Sequence, residues 1–191
     1  MNRRIVVAAV LVPILLSWAV AAALAGEFQR EFTFATDDLK VVNMIGAIEV
    51  VAATGAEFQI RVTVRGDDAS EDFLEFADFN DDGDVFAIKF PIKKHSKYVY
   101  PEMGSGSKTT MTFDNEGEHG KSWLKKVFSG MSGTRVTVRG KGSGKEVWAD
   151  VVIAVPRGAE LEVRHGVGAV EASSLQADLN LDTNSGRIEV R

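Results

Sequence analysis

The chain has 191 residues, 45% of them hydrophobic, and its 27 acidic against 22 basic side chains give a net charge of −5. An acidic balance argues against nucleic acid as a partner. With no cysteine, neither a disulfide framework nor a lipid-modified cysteine is available, so stability must come from an ordinary apolar core, for which the hydrophobic content suffices.

Residues 1–25 carry the three parts of a signal peptide in order: Arg3 and Arg4, an apolar run over residues 5–16 interrupted by Pro13, and the Ala23-Leu24-Ala25 that a signal peptidase reads. Cleavage is expected after Ala25, leaving Gly26 as the new N-terminus. The alternative is an uncleaved anchor, because residues 5–25 are uncharged and about 20 such residues cross a bilayer. The expected location is the periplasm or cell surface, with N-terminal membrane anchoring as the alternative. Residues 26–191 read as one domain, whose net charge without Arg3 and Arg4 is −7.

Through that domain the dominant pattern is period-two alternation. Gly46-Ala47-Ile48-Glu49-Val50 is a turn glycine followed by a short strand with Ile48 and Val50 on one face. Phe58-Gln59-Ile60-Arg61-Val62-Thr63-Val64-Arg65 alternates throughout, as a half-buried strand requires. Residues 67–84 then hold nine carboxylates and no basic side chain, whereas residues 91–146 hold eleven basic side chains against five acids, which predicts acidic and basic faces on different sides.

Within the acidic stretch, Asp78-Phe79-Asn80-Asp81-Asp82-Gly83-Asp84 matches the start of a calcium loop, where alternating oxygens wrap a hard cation around a glycine turn. The bidentate Glu that closes such a loop would fall at position 89, which is Lys89. A solvated hairpin turn between Phe79 and Val85 is therefore expected, and no metal is assigned. Strands follow at Val85-Phe86-Ala87-Ile88-Lys89-Phe90, at Thr110-Met111-Thr112-Phe113 and over residues 134–139, 147–155 and 161–164.

Residues 97–145 read as an insertion. It opens with the flexible Met103-Gly104-Ser105-Gly106-Ser107-Lys108. Gly120-Lys121-Ser122 resembles the end of a phosphate loop, but Asn115 stands where the first glycine belongs, and a chance match is expected. Trp123, Leu124, Lys125, Lys126, Val127 and Phe128 form a short basic amphipathic helix, with Trp123, Leu124, Val127 and Phe128 on one face. That face is expected to cap the β stack, with peripheral contact to an anionic membrane as the alternative.

Repetition is the most specific signal. The Gly46 pentapeptide recurs as Gly168-Ala169-Val170-Glu171-Ala172 and as Gly186-Arg187-Ile188-Glu189-Val190, and Arg61-Val62-Thr63-Val64-Arg65-Gly66 reappears unchanged at residues 135–140. Short strands at regular spacing predict an all-β fold, a short-rung β-solenoid or β-roll of mostly parallel strands, with a β-sandwich as the alternative. Glu49, Glu171 and Glu189 would then stack in a row.

At these residues the chain resembles the bacterial domain-of-unknown-function family labelled "putative adhesin", whose pattern is a strand ending in Val-Pro-Lys/Arg-Gly and a ladder of Gly-x-Ile-x-Val rungs. Val155-Pro156-Arg157-Gly158 and the rungs at Gly168 and Gly186 carry the likeness, which covers residues 32–64 and 151–191 and hardly touches the insertion. The resemblance implies an exported, mostly parallel β fold with no catalytic residues to carry over. The rung Gly186, Arg187, Ile188, Glu189 and Val190 is still in register at Arg191, so it is expected to be exposed and to pair with another chain, making a homo-oligomer one expectation.

Catalytic signals are missing: His95, His119 and His165 fall in unrelated contexts and no nucleophile elbow occurs. No cofactor or metal is expected. The function expected is that of an exported, non-enzymatic envelope protein acting as a binding, adhesion or scaffolding domain toward an envelope protein or cell-surface ligand. The alternative is a carbohydrate-binding or carbohydrate-active module using outward carboxylates and Tyr98, Tyr100 and Trp148.

Overall fold

The computed structural model describes residues 26–80, 84–113, 127 and 133–191. The signal peptide, the phosphate-loop resemblance, His119, and Trp123, Leu124, Lys125, Lys126 and Phe128 lie outside these residues.

Alternation becomes sheet where one face is buried. Phe58, Ile60, Val62 and Val64 of β4 (Phe58–Arg65) are at most 1% exposed, while Gln59 and Arg61 face solvent. Around β4 a six-stranded sheet runs in the order β1 (Glu27–Phe34), β4, β11 (Trp148–Val155), β3 (Ile48–Ala52), β13 (Val170–Ala172), β15 (Ile188–Val190). A five-stranded sheet has the order β14 (Asp178–Ser185), β12 (Glu160–Val167), β2 (Asp38–Ile45), β6 (Asp84–Lys89), β5 (Glu75–Asn80). A four-stranded sheet has the order β10 (Lys145–Glu146), β7 (Lys97–Val99), β9 (Thr134–Arg139), β8 (Lys108–Phe113), and Pro101–Met103 forms a single 3₁₀ turn beside it.

The chain is thus all-β, with three mixed sheets among the described residues. A parallel stack and a two-sheet sandwich describe it equally well. Three in-register rungs, β2–Gly46–β3, β12–Gly168–β13 and β14–Gly186–β15, make the stack. The antiparallel β1–β4–β11 arrangement belongs to the sandwich.

Each rung turns from the five-stranded into the six-stranded sheet at its glycine, and the corners are bonded in series. Gly46 N–H donates to Val167 O (3.0 Å) and Ile48 N–H to Ala169 O (2.9 Å). One rung further, Gly168 N–H donates to Ser185 O (3.0 Å) and Val170 N–H to Arg187 O (2.8 Å). The register stacks Ile48, Val170 and Ile188, and likewise Glu49, Glu171 and Glu189.

One apolar core, including Leu39, Val41, Ile48, Phe86, Ile153 and Leu161, lies among the sheets. Its far end is closed by aromatics that tie β1 to β5 and β6: Phe32 and Phe86 have ring centroids 4.6 Å apart, Phe32 and Phe76 5.5 Å, and Phe34 and Phe86 5.7 Å. Fully burying such a side chain contributes roughly 1.5–3 kcal/mol. The end formed by β14 and β15 has no comparable cover among the described residues.

Two further expectations meet the structure here. The Asp78–Asp84 segment is a hairpin, with Phe79 opposite Val85 and Asn80 opposite Asp84; the three connecting residues lie outside those described. The acidic and basic stretches are not held on separate sides, because Asp68 accepts from Lys145 Nζ (2.5 Å) and from Glu146 N–H (2.9 Å). The Lys145 bond, followed by the Glu146 N–H, holds the Asp68 carboxyl below its ordinary value.

Candidate functional site

Two surface features are built by the rung corners. The first is the edge of the last rung. Because Gly46, Ile48, Gly168 and Val170 donate toward the following rung, the same alternation turns the N–H and C=O groups of Gly186, Ile188 and Val190 outward, where no described strand lies. Ile188 and Val190 continue the columns headed by the buried Ile48 and Val50, yet they are 41% and 64% exposed. They are the two exposed large hydrophobics among the described residues.

Charge on that rung is internally paired. Arg187 reaches Glu171 of the preceding rung at 2.7 Å and Glu189 at 3.5 Å, and Arg191 binds Glu189 at 2.5 Å. Glu49, Glu171 and Glu189 do stack, as the repeats predict, but Glu171 and Glu189 stand in an arginine ladder rather than as free carboxylates.

The second feature is a groove of about 840 Å³ running along the corners and flanked by the 3₁₀ turn. Ala47, Gly168, Ala169 and Gly186 line it with small side chains or none. Tyr100 and Trp148 form part of its lining as a tilted pair with ring centroids 5.8 Å apart. Asp150 accepts from Ala47 N–H at 2.9 Å and from Arg65 at 2.5 Å, fastening β11 to the first corner and to β4. Burial, helped by the charges of Asp150 and Glu102, pushes the Tyr100 hydroxyl up to about 12, so it stays protonated as a donor.

Of the aromatics expected to bind ligand, Tyr98 is withdrawn: it is fully buried, packs edge-on against Phe90 at 5.6 Å, and belongs to the core. Tyr100 and half-buried Trp148 do reach the groove. Val127, the described member of the expected amphipathic helix, is 3% exposed and sits with Val42, Val85 and Ala87, beside Phe79. It therefore covers an apolar patch of the five-stranded sheet. Among the described residues no helix is long and apolar enough to cross a membrane, and no group of His, Asp or Glu is placed to hold a metal.

The histidines stay apart. His95 stacks on Phe73 at 5.7 Å, whereas His165 is buried beneath the corner, with Nδ1 3.1 Å from Asn43 O and Nε2 2.9 Å from Gly46 O. Arg65 and Asp150 had no sequence signal, because 85 residues separate them and only the β4–β11 pairing brings them together.

No family model matches the chain, and no curated protein matches it. Among solved structures the chain is similar to a putative cell adhesion protein from Clostridium sporogenes ATCC 15579, with a TM-score of 0.36 and 10% identity over 85% of this chain and 61% of that one. This chain therefore spans about three-fifths of that protein's length.

Proposed function

We propose that this protein is an exported, non-enzymatic envelope domain, acting in adhesion or scaffolding, that binds a partner chain by β-edge addition at β14–β15. The observation that carries this reading is the coincidence of outward backbone groups with Ile188 and Val190, 41% and 64% exposed, on one edge. Open main-chain groups beside exposed apolar side chains on an edge strand recruit another strand, main-chain bonds giving affinity and alternate side chains giving specificity. Residues 1–25 read as the export signal, and the three stacked rungs are what a short β-solenoid would have.

The test is association of the mature protein, residues 26–191, with itself and with envelope extracts, compared with an Ile188→Lys/Val190→Lys variant. Assembly or capture that the variant loses supports the reading. Association unchanged in a folded variant overturns it.

The groove favours a second reading, a carbohydrate-binding module. An aromatic pair beside Asp150, Arg65 and Glu102 combines an apolar face with fixed polar groups, the usual make-up of a small-ligand site. Retention on cell-wall glycan that Trp148→Ala abolishes, with Ile188→Lys/Val190→Lys unaffected, would favour it over the edge.

A further inference from the structure

The edge is selective, and the corner glycines set its rule. A β-carbon on Gly168 would lie inside the van der Waals radius of Gly46 O, and one on Gly186 would do the same to Gly168 O. Each rung therefore seats its corner directly on the carbonyl of the rung before, and only a residue without a side chain fits. The groups that received Gly168 and Gly186 are repeated, unoccupied by any described strand, at Gly186 itself.

Two other columns add to the rule. Positions two and four after the glycine are apolar in every rung: Ile48 and Val50, Val170 and Ala172, Ile188 and Val190. Arg187, one after its glycine, reaches back to Glu171 on the rung before, so a basic residue at that position of an incoming segment would share Glu189 with Arg187 and Arg191. In the strand before the glycine, Leu179 and Leu181 of β14 pack against the core, leaving the same inward slots open on the next layer.

Resting on the proposed edge binding, we propose that β14–β15 accepts an extended segment of a partner polypeptide as a further parallel rung: an alternating apolar strand, then glycine, a basic residue, and apolar residues two and four after the glycine. A second folded copy does not supply this segment, because its rungs at Gly46, Gly168 and Gly186 are already built into its own ladder. The occupant is therefore a chain that orders on binding, as in donor-strand complementation.

The probe is a labelled peptide with the sequence of residues 178–191, Asp-Leu-Asn-Leu-Asp-Thr-Asn-Ser-Gly-Arg-Ile-Glu-Val-Arg, titrated into the mature protein and followed by anisotropy. The wild-type peptide should bind, and the same peptide carrying Gly186→Ala should bind roughly tenfold more weakly or worse, each tenfold being about 1.4 kcal/mol. Val190→Pro in the protein should abolish binding while leaving it folded, since the lost N–H faces the open side. Equal binding of both peptides overturns the glycine rule while leaving edge binding standing, as would be seen for antiparallel pairing. Binding of neither, or undiminished binding to the folded Val190→Pro protein, overturns edge binding as well.

Discussion

Gly168 rests on the carbonyl of Gly46 with no room for a side chain between them, and its φ of +135° lies where L-residues with a β-carbon are strained. Gly168→Ala combines a backbone clash with that strain, and a destabilisation of about 3–5 kcal/mol is expected from urea unfolding. Gly158 is the internal control: its φ is +77°, but a β-carbon there meets nothing within 4 Å. Gly158→Ala should cost only about 1–2 kcal/mol. Equal costs at the two sites would show that the corner stacking leaves room for a β-carbon at Gly168.

His165 makes stability fall as acid is added. Burial first, against the pull of the Asn43 and Gly46 carbonyls and the charge of Asp150, pushes its imidazole from 6.5 down to about 4. Above pH 6.5 the ring is neutral folded or unfolded and contributes nothing to the pH dependence. Between 6.5 and about 4 the unfolded chain takes a proton that the folded chain refuses, so stability drops by up to roughly 3 kcal/mol and levels off below. Asp68, held below its ordinary value by Lys145, loses its contribution only at still lower pH. Urea unfolding from about pH 7.5 to about pH 4.5 should show this slope in the wild type and a much flatter one in His165→Gln. A flat wild-type profile would mean that His165 is not held neutral.

How legible each strand was depends on what covers its faces. β4 was plain because one face is buried and the other wet. β2 was hidden: the core takes Leu39 and Val41, the patch under Val127 takes Val42, and a strand buried on both faces shows no alternation. In β1 the inward series Phe28, Phe32 and Phe34 is broken by Arg30, whose guanidinium lies 5.5 Å from the Phe76 ring, a partner invisible from local sequence. The hexapeptide shared by residues 61–66 and 135–140 was conspicuous, yet its copies fall in different sheets, because the partner strand and not the strand's own pattern decides. The rung edge was readable from its repeat. The groove was not, since it depends on the β4–β11 pairing and on the turn at Tyr100.

Processing has a direct readout. Expression with residues 1–25 intact, followed by fractionation and N-terminal sequencing, should yield a soluble exported protein beginning at Gly26. Recovery in membranes with Met1 retained would instead establish an anchor.

The two ends of the stack should differ in stability. Phe86, 1% exposed within the aromatic cluster, closes one end, and Phe86→Ala should cost about 3–5 kcal/mol. Val190, 64% exposed at the other, should cost less than about 0.5 kcal/mol as Val190→Ala. Hydrogen exchange resolves the same polarity residue by residue. The amides of Ile48 and Val170, bonded to Ala169 O and Arg187 O, should exchange only on extensive opening, whereas those of Ile188 and Val190 should exchange at nearly the free-chain rate. Arg191, whose N–H is bonded to Ala172 O at 2.9 Å, should be slower than Val190 beside it, since alternation rather than nearness to the end sets the difference. Protection of Ile188 and Val190 equal to that of Ile48 in dilute protein would mean that this edge is already covered, and an edge already covered has no strand to recruit.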